Sequence, residues 1–277
     1  MTPAELPGLP GPALLFCPAD RPDRYAKALA AADAVILDLE DGVGAGSKDA
    51  ARDALVAADL DPARVIVRVN AAGTPEHAAD IAALRGTGYR LIMLSKTETR
   101  AQLADLGGEW RVVALCETAL GIVNAAEIAA APNVTAVMWG AEDLIASMRG
   151  RSSRFPDGRY RDVALHARSV ALLAASAHGR PAIDSVYVDI PDLDGLAAES
   201  EDAAASGFRF KACIHPSQVA VVRKAFQADE AQVAWARRVL AAARDASAHD
   251  KGAVRVDGQM IDAPLIRQAE AILASLR

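Results

Sequence analysis

Short apolar runs recur along the chain at intervals that suit the strands of a buried parallel sheet. Eight such runs occur, at residues 13–16, 34–37, 65–69, 91–94, 112–116, 134–139, 185–188 and 208–214. Alanine-rich stretches long enough to form helices separate them. Eight strands that alternate with eight helices are the number that closes a barrel, so the pattern predicts an α/β protein with a (β/α)8 TIM-barrel fold.

The ends of the helices and of the barrel also have sequence signals. Helices are predicted over residues 23–32, 48–58, 162–178 and 230–246, and Thr74 and Pro75 are a plausible N-cap and first residue of another. The barrel does not need the residues that follow the eighth strand. We therefore predict a barrel with an N-terminal leader over residues 1–225 and a C-terminal helical extension over residues 226–277. A tail of this kind often forms a lid or an arm onto a neighbouring subunit.

Composition and charge narrow the class of protein. A chain of 277 residues fits one large domain, and a net charge of -6 without a clustered basic stripe argues against nucleic acid as a partner. No window approaches 18 unbroken apolar residues and no signal peptide is evident, which predicts no membrane span. Cys17, Cys116 and Cys213 form no CxxC pair, which favours buried, reduced thiols in a cytoplasmic protein.

Most of the predicted strands have a charged residue at the C-terminal end, where a barrel of this kind carries its active site. Glu117 and Asp143 are the sharpest pair, because each is predicted to end a strand and the two strands are neighbours. Two carboxylates held side by side suit Mg2+, which needs only one or two protein carboxylates. Few histidines lie nearby, which disfavours zinc. The alternative role for such acids is to cap the helices that follow.

An arginine and three carboxylates lie at the ends of the second and third predicted strands. Arg68, in an otherwise apolar strand, needs a partner, which could be Glu40, Asp41 or the carboxylate of a substrate. Asp38, Glu40 and Asp41 crowd three carboxylates into four residues, which indicates either a nearby cation or a solvated loop with helix caps. Lys96 could form a Schiff base, although an ion pair with a strand-end acid is the commoner role.

Several of these motifs follow one another in an order that identifies a resemblance. They are residues 37–42, 67–70, 117–121, 139–144 and 213–218, followed by 258–264 in the tail. In this order they resemble the citrate lyase beta subunit family, within the HpcH/HpaI aldolase superfamily. Relatives in that family include malyl-CoA, citramalyl-CoA and 3-hydroxy-3-methylglutaryl-CoA lyases, and the resemblance covers roughly the whole chain.

The resemblance implies a TIM barrel that assembles as a homotrimer or hexamer and binds Mg2+ through Glu117 and Asp143. It implies that Arg68 contacts the substrate or the developing enolate, and that the tail of a neighbouring subunit supplies a catalytic aspartate at Asp262. Glu40 and Asp41 would position Arg68, Lys96 or a water on the metal.

The resemblance also implies that the substrate is a coenzyme A thioester. Its phosphates could meet Arg21, Arg24, Lys27 and Lys48, although solvated helix faces are an equal explanation for each of these residues. Gly140 and Ala141, in the same motif as Asp143, are the further expected substrate contacts.

The implied reaction is Mg2+-dependent cleavage of a 3-hydroxyacyl-CoA thioester, of the malyl, citramalyl, citryl or 3-hydroxy-3-methylglutaryl type, to acetyl-CoA and an oxo acid. Three alternatives stay open. The chain could catalyse a malate-synthase-like condensation with thioester hydrolysis, serve as the beta subunit of a citrate lyase complex, or bind CoA esters without turning them over.

Overall fold

A closed barrel of eight parallel strands forms the centre of the larger unit of the chain. The computed structural model describes residues 10–247, 254–274 and 276. Neighbouring strands in the barrel are consecutive in the chain, and β8 closes against β1. The strands are β1 Ala13–Pro18, β2 Ala34–Asp38, β3 Val65–Val69, β4 Leu91–Leu94, β5 Arg111–Cys116, β6 Val134–Trp139, β7 Ala182–Asp184 and β8 Phe210–Cys213. The TIM-barrel prediction is confirmed.

Helices follow the strands, as the alternating pattern predicts. They are α1 Tyr25–Ala31, α2 Lys48–Ala57, α3 Pro75–Arg85, α4 Arg100–Asp105, α5 Ala119–Val123, α6 Ala125–Ala129, α7 Ala141–Ser147, α8 Asp162–Ala177, α9 Leu193–Ser206 and α10 Pro216–Ala225. A short 3-10 helix, Pro22–Arg24, precedes α1, so the predicted first helix is divided in two. Thr74 caps α3 as predicted: its hydroxyl accepts a hydrogen bond from the His77 N–H at 3.1 Å.

The barrel interior is filled by alternate apolar residues from all eight strands. They form one cluster, whose members include Leu14, Ile36, Ile66, Met93, Leu115, Met138, Ile183 and Phe210. Because side chains alternate between the two faces of a strand, the positions two residues beyond these also point inward. Asp38, Arg68 and Glu117 occupy such positions after Ile36, Ile66 and Leu115. The alternation therefore brings one arginine and two carboxylates to the C-terminal mouth of the barrel.

The seventh strand is not where the sequence pattern places it. Residues 185–188 were the expected strand, whereas β7 is Ala182–Asp184 and pairs with β6 and β8. The carbonyl oxygens of Ser185 and Tyr187 instead accept hydrogen bonds from the side chains of Lys211 and Gln218. The prediction was wrong because an apolar run continues past the strand after its backbone has left the ladder. The eighth strand, Phe210–Cys213, is shorter than the expected 208–214.

A buried network of charges lies on the outer face of strands β7 and β8, which faces the helices. Asp184 and Lys211 are both fully buried, and the Lys211 ammonium donates to Asp184 at 2.9 Å and to Glu199 at 2.9 Å. Glu199 also accepts a hydrogen bond from Arg154 at 2.8 Å, and that guanidinium lies 3.7 Å from the centre of the Tyr160 ring. These contacts tie the polar segment between α7 and α8 to helix α9.

The second unit of the chain begins at Lys224, where the contacts divide the chain in two. It contains α11 Glu230–Ser247, the antiparallel hairpin of β9 Val254–Val256 and β10 Gln259–Ile261, and α12 Ala263–Ala274. Its own core includes Val239, Ile261 and Ala269. The predicted extension is therefore helical with a short hairpin between its two helices.

Two expectations from composition can be compared with the structure. Cys17, Cys116 and Cys213 are all free and buried, as predicted. Burial raises the pKa of the Cys116 thiol to about 12, so this sulfur is held as an inert thiol. Among the described helices, none combines the length and the apolar character that crossing a membrane requires.

Candidate active site

An arginine held by two carboxylates lies at the mouth of the barrel. Arg68 Nε donates to Asp38 Oδ1 at 2.7 Å and its Nη2 donates to Asp38 Oδ2 at 2.5 Å, a two-pronged contact. Its third nitrogen, Nη1, lies 3.0 Å from Glu40 Oε2. Of the partners weighed for Arg68, Glu40 is therefore confirmed, whereas Asp41 is not one of its contacts. The Arg68 side chain is only 11% exposed, and charge-assisted hydrogen bonds fix its guanidinium.

The loop that follows β2 is folded around the same aspartate. Asp38 accepts the backbone N–H of Glu40 and of Gly42, each at 2.9 Å. Lys48 holds the loop from the other side, because its ammonium donates to the carbonyls of Leu39 and Glu40 and to the side chain of Asn70. Its three N–H donors are thus engaged within the protein. Lys48, expected to meet a CoA phosphate, would have to give up one of these bonds to do so.

Glu117 is a deeply buried carboxylate of the mouth, at 3% exposure. Burial, followed by the nearby charge of Asp143, raises its pKa to about 8. Its Oε1 accepts the backbone N–H of Lys96 at 3.0 Å. Within the described part of the chain, no group donates a hydrogen bond to the other oxygen, Oε2. Gly140 lies directly against this side chain, since a Cβ at Gly140 would sit 2.9 Å from Oε2.

The second carboxylate of the predicted pair is placed by a helix rather than by a strand. β6 ends at Trp139, and Asp143 lies in the first turn of α7. The expectation that Asp143 ends a strand is therefore wrong, because the chain enters a helix at Ala141. Asp143 still contacts the mouth, where its Oδ1 lies 3.7 Å from Lys96 Nζ.

The side chain of Lys96 contacts acidic residues of the loop after β2 and of helix α7. Its ammonium forms a short ion pair with Glu40 and lies 3.3 Å from Asp41, in addition to its contact with Asp143. Burial alone would lower the pKa of Lys96, but its hydrogen bond to Glu40 and the surrounding carboxylates raise it overall. An amine held in its charged form is a poor nucleophile, which argues against the Schiff-base alternative.

The mouth has the donor set that a hard divalent cation requires. Glu117 and Asp143 present four carboxylate oxygens, of which Glu117 Oε1 alone accepts a hydrogen bond from the described residues. No group of three or more His, Cys, Asp and Glu side chains positioned for a metal occurs in the described ranges. A pair of carboxylates nevertheless fits Mg2+, which fills its other positions with water and substrate oxygens. The residues present therefore fit magnesium better than zinc.

The other expected contact residues lie in two segments, one at the start of α7 and one after β1. Gly140 caps the start of α7, and the N–H of Ala141 donates to the Ser185 hydroxyl at 3.2 Å. Arg24 and Lys27 are both exposed. Arg24 ends the 3-10 helix that follows β1, and Lys27 lies in α1. Arg21 forms an ion pair with Asp23 at 3.0 Å.

Asp262 lies in the second unit, immediately before α12. Its Oδ1 accepts the N–H of Leu265 at 3.4 Å, so it caps that helix. The side chain is exposed and its carboxylate faces solvent in this unit.

Comparison with known proteins identifies the family of this chain. A family model described as HpcH/HpaI aldolase/citrate lyase matches residues 13–216. This range runs from the first residue of β1 to the first residue of α10 and so includes the whole barrel. The chain belongs to this family. It is a lyase family, and the chain is an enzyme of that family.

Individual members of the HpcH/HpaI family cover nearly the whole chain. A citrate lyase subunit beta-like protein of Mycobacterium tuberculosis is 57% identical over 263 residues, 95% of this chain and 94% of that protein. A (3S)-malyl-CoA thioesterase of Cereibacter sphaeroides is 37% identical over 270 residues, 94% of this chain and 93% of the thioesterase.

A solved member of the family has the same fold. It is CitE of Mycobacterium tuberculosis in complex with magnesium, acetoacetate and coenzyme A. Its TM-score to this structure is 0.91 at 56% identity, and the match covers 96% of this chain and 98% of that chain.

Sequence reasoning missed the role of Asp38 as the main partner of Arg68. A signal for it exists, because Asp38 and Arg68 each follow an inward apolar residue and are register partners on adjacent strands. Reading the alternation across two strands would have found the pair. The three contacts of Lys48 have no comparable signal, since they depend on the path of a loop.

Proposed function

We propose that this chain is a Mg2+-dependent carbon–carbon lyase that cleaves a 3-hydroxyacyl-CoA thioester to acetyl-CoA and an oxo acid. The observation that carries the proposal is that a buried carboxylate, Glu117, and a buried cation, Arg68, both occupy inward positions at the same mouth of the barrel. The relative bound to magnesium, acetoacetate and coenzyme A supports the same assignment. The reverse reaction is a Claisen-type condensation.

Glu117 and Asp143 are the residues that would hold magnesium in this proposal. Bound there, the metal would polarise the oxygens of the oxo or hydroxy acid. The carboxylates of Glu117 and Asp143 supply the negative charge that the metal needs. Gly140, which has no side chain, leaves room beside Glu117. Gly140 and Ala141 would border the acid part of the substrate.

Arg68 would offset the negative charge that develops on the thioester when the carbon–carbon bond breaks. Its two-pronged contact with Asp38 and its contact with Glu40 fix the guanidinium before substrate binds, so no reorganisation is needed during the reaction. Burial raises the pKa of Glu40 in spite of its neighbouring cations. Glu40 and Asp41 act in this scheme by positioning Arg68 and Lys96.

A proton must reach the methyl carbon of the acetyl group as acetyl-CoA forms. We assign this transfer to Asp262 of a neighbouring subunit in a homotrimer or hexamer. Arg21, Arg24 and Lys27, near the end of β1, would meet the phosphates of coenzyme A. Such a protein would act in the cytoplasm, which agrees with its three free thiols.

A coupled assay tests the reaction class. Purified protein with Mg2+ is given malyl-, citramalyl-, citryl- and 3-hydroxy-3-methylglutaryl-CoA, and acetyl-CoA and the oxo acid are measured. We expect the wild-type protein to cleave one of these esters and EDTA to abolish the cleavage. Glu117→Gln should be inactive, whereas Glu127→Gln, which changes an exposed residue of α6, should remain active. Full turnover by Glu117→Gln in EDTA would overturn the proposal.

The malyl-CoA thioesterase relative, at 37% identity, favours a second candidate function. In that case the same mouth would release free CoA together with the intact hydroxy acid. Product analysis in the same assay separates the two activities, because cleavage yields acetyl-CoA and an oxo acid. Absence of both activities, with acetyl-CoA still bound, would favour a partner-dependent citrate lyase beta subunit or a binding protein.

A further inference from the structure

Lys96, two residues beyond β4, has an unusual backbone conformation. Its φ is 49°, in the left-handed region that residues with a Cβ rarely adopt. Such a conformation persists only where the surrounding structure requires it. The contacts of Lys96 and of its two neighbours show what this turn achieves.

The left-handed turn changes the direction of the backbone N–H group that follows it. In a regular strand successive N–H groups point to opposite neighbours, so those of Ser95 and Thr97 should both face β3 and that of Lys96 should face β5. The N–H of Ser95 does donate to Val69 of β3, but the N–H of Thr97 donates to Leu115 of β5 at 2.9 Å. The N–H of Lys96 faces β5 as the alternation requires and donates to Glu117 Oε1 at 3.0 Å. With the turn, two consecutive amides therefore face β5.

The same turn brings the side chain of Lys96 into the barrel mouth. Met93 points inward, so strict alternation would make Ser95 the next inward residue and turn Lys96 towards the surrounding helices. The ammonium of Lys96 instead contacts Glu40, Asp41 and Asp143. One residue thus holds Glu117 through its amide and the acidic loop after β2 through its side chain.

These contacts form a continuous chain between the two halves of the site. Arg68 Nη1 lies 3.0 Å from Glu40, Glu40 contacts the ammonium of Lys96, and the Lys96 amide donates to Glu117. Lys96 therefore links Glu117 to Glu40, and through Glu40 to Arg68.

We propose that Lys96 is a positioning residue whose amide, held within a left-handed turn, sets the carboxylate of Glu117 for a divalent cation while its ammonium sets Glu40 for Arg68. The inference rests on the proposed function, because it takes Glu117 and Asp143 to be the Mg2+ ligands. It assigns separate roles to the backbone and to the side chain of one residue.

A pair of variants separates these two roles. Lys96→Gly and Lys96→Ala both remove the ammonium, so any difference between them reports the backbone. Glycine adopts the left-handed conformation without penalty and keeps the amide on Glu117, whereas alanine favours a relaxed turn that moves the amide away. We expect Lys96→Gly to bind Mg2+ about fivefold or more tightly than Lys96→Ala in isothermal titration calorimetry with the metal alone.

Arg149 provides the matched control, since it is an exposed residue that also has a positive φ, 59°. Arg149→Gly and Arg149→Ala should differ in thermal stability but bind Mg2+ equally. Thermal unfolding of all four variants verifies that each is folded at the temperature of the titration.

The side-chain role is measured through turnover. Both Lys96→Gly and Lys96→Ala should lower kcat by about 100-fold, since Glu40 loses its second cation and Arg68 is misplaced. Lys96→Arg restores a cation and should recover part of kcat. A role limited to folding would change stability without this recovery.

The outcomes distinguish this inference from the proposed function. Equal Mg2+ affinities for Lys96→Gly and Lys96→Ala, in a protein whose wild type binds Mg2+ and cleaves its substrate, would overturn the positioning role alone. A wild type that binds Mg2+ but cleaves no thioester would overturn the proposed function and leave the positioning role standing. A wild type that does not bind Mg2+ would overturn both.

Discussion

At the scale of single residues, burial decides the chemistry of this mouth. Glu117 is in the same charged surroundings as Asp41, yet their pKa values move in opposite directions. Burial raises the pKa of Glu117 to about 8, while the nearby Lys96 overcomes a smaller burial effect and lowers the pKa of Asp41. A carboxylate that is costly to ionise without a cation gains most from one.

The raised pKa of Glu117 predicts a pH dependence of metal binding. Below pH 8 the carboxyl group holds a proton that Mg2+ must displace, so Mg2+ affinity should rise about tenfold per pH unit up to about pH 8 and then level off. Titration calorimetry across this range measures it, and buffers of different ionisation enthalpy report the released proton. Affinity that is flat from about pH 6 to about pH 8 would contradict the prediction.

The stability of the metal-free protein should show the opposite trend from the same group. Between the ordinary value of 4.5 and about 8, folded Glu117 retains a proton that the unfolded chain has released. The contribution of this residue to the free energy of unfolding therefore decreases as pH rises through that window. Glu117→Gln, which cannot titrate, should lack this component of the pH profile in denaturant unfolding.

At the scale of elements, the junction of β6 and α7 places both the second carboxylate and the space around the first. Gly140 ends the extended segment and α7 begins at Ala141, which brings Asp143 back towards the mouth. The missing side chain at Gly140 is what allows the backbone to approach Glu117 so closely. A helix start, rather than a strand end, thus supplies the second candidate ligand.

Gly140→Ala tests this junction. The new Cβ would lie 2.8 Å from the Glu117 Cβ and 2.9 Å from Oε2, so the carboxylate must move. We expect Mg2+ affinity to fall about tenfold to 100-fold, the range seen when groups that orient a metal ligand are lost. Gly108→Ala, at a position with open space around it, should leave affinity unchanged. Equal affinities for the two variants would show that Glu117 is not confined by Gly140.

The seventh strand shows where prediction from a local sequence pattern fails. The apolar pattern predicted seven strands near their observed places, but residues 185–188 lie outside β7. Their apolar side chains resemble a strand, and the difference is that their carbonyl groups bond to Lys211 and Gln218 side chains. Residues 26 and 31 positions away along the chain make these bonds, so a local pattern contains no trace of them.

At the scale of the whole molecule, the proposed active site draws on more than one chain. Barrel residues such as Arg68 and Glu117 come from one subunit, and the proposal takes Asp262 from a neighbour. A site shared between subunits can be reconstituted from two inactive chains that are defective in different parts.

Mixed oligomers test this arrangement. Glu117→Gln and Asp262→Asn are each expected to be inactive, but after unfolding and refolding together in equal amounts about a quarter of the sites should combine an intact barrel with an intact tail. The assay is recovery of thioester cleavage. Glu117→Gln mixed with Arg68→Lys should recover nothing, because both changes lie in the barrel. Absence of recovery in the first mixture would place Asp262 outside the neighbouring site.

The order of the residues is sufficient to predict the class of fold and the end of the barrel that carries chemistry. Strand and helix periods are local, and the alternation of inward residues carries Asp38, Arg68 and Glu117 to one mouth without further information. Which of these groups pair is visible in three dimensions alone. The Asp38 contact of Arg68, the placement of Asp143 on a helix and the left-handed turn of Lys96 all depend on the positions of neighbouring strands. Hydrogen bonds and charges act over a few ångströms in space, and the chain brings together residues that lie tens of positions apart in its sequence.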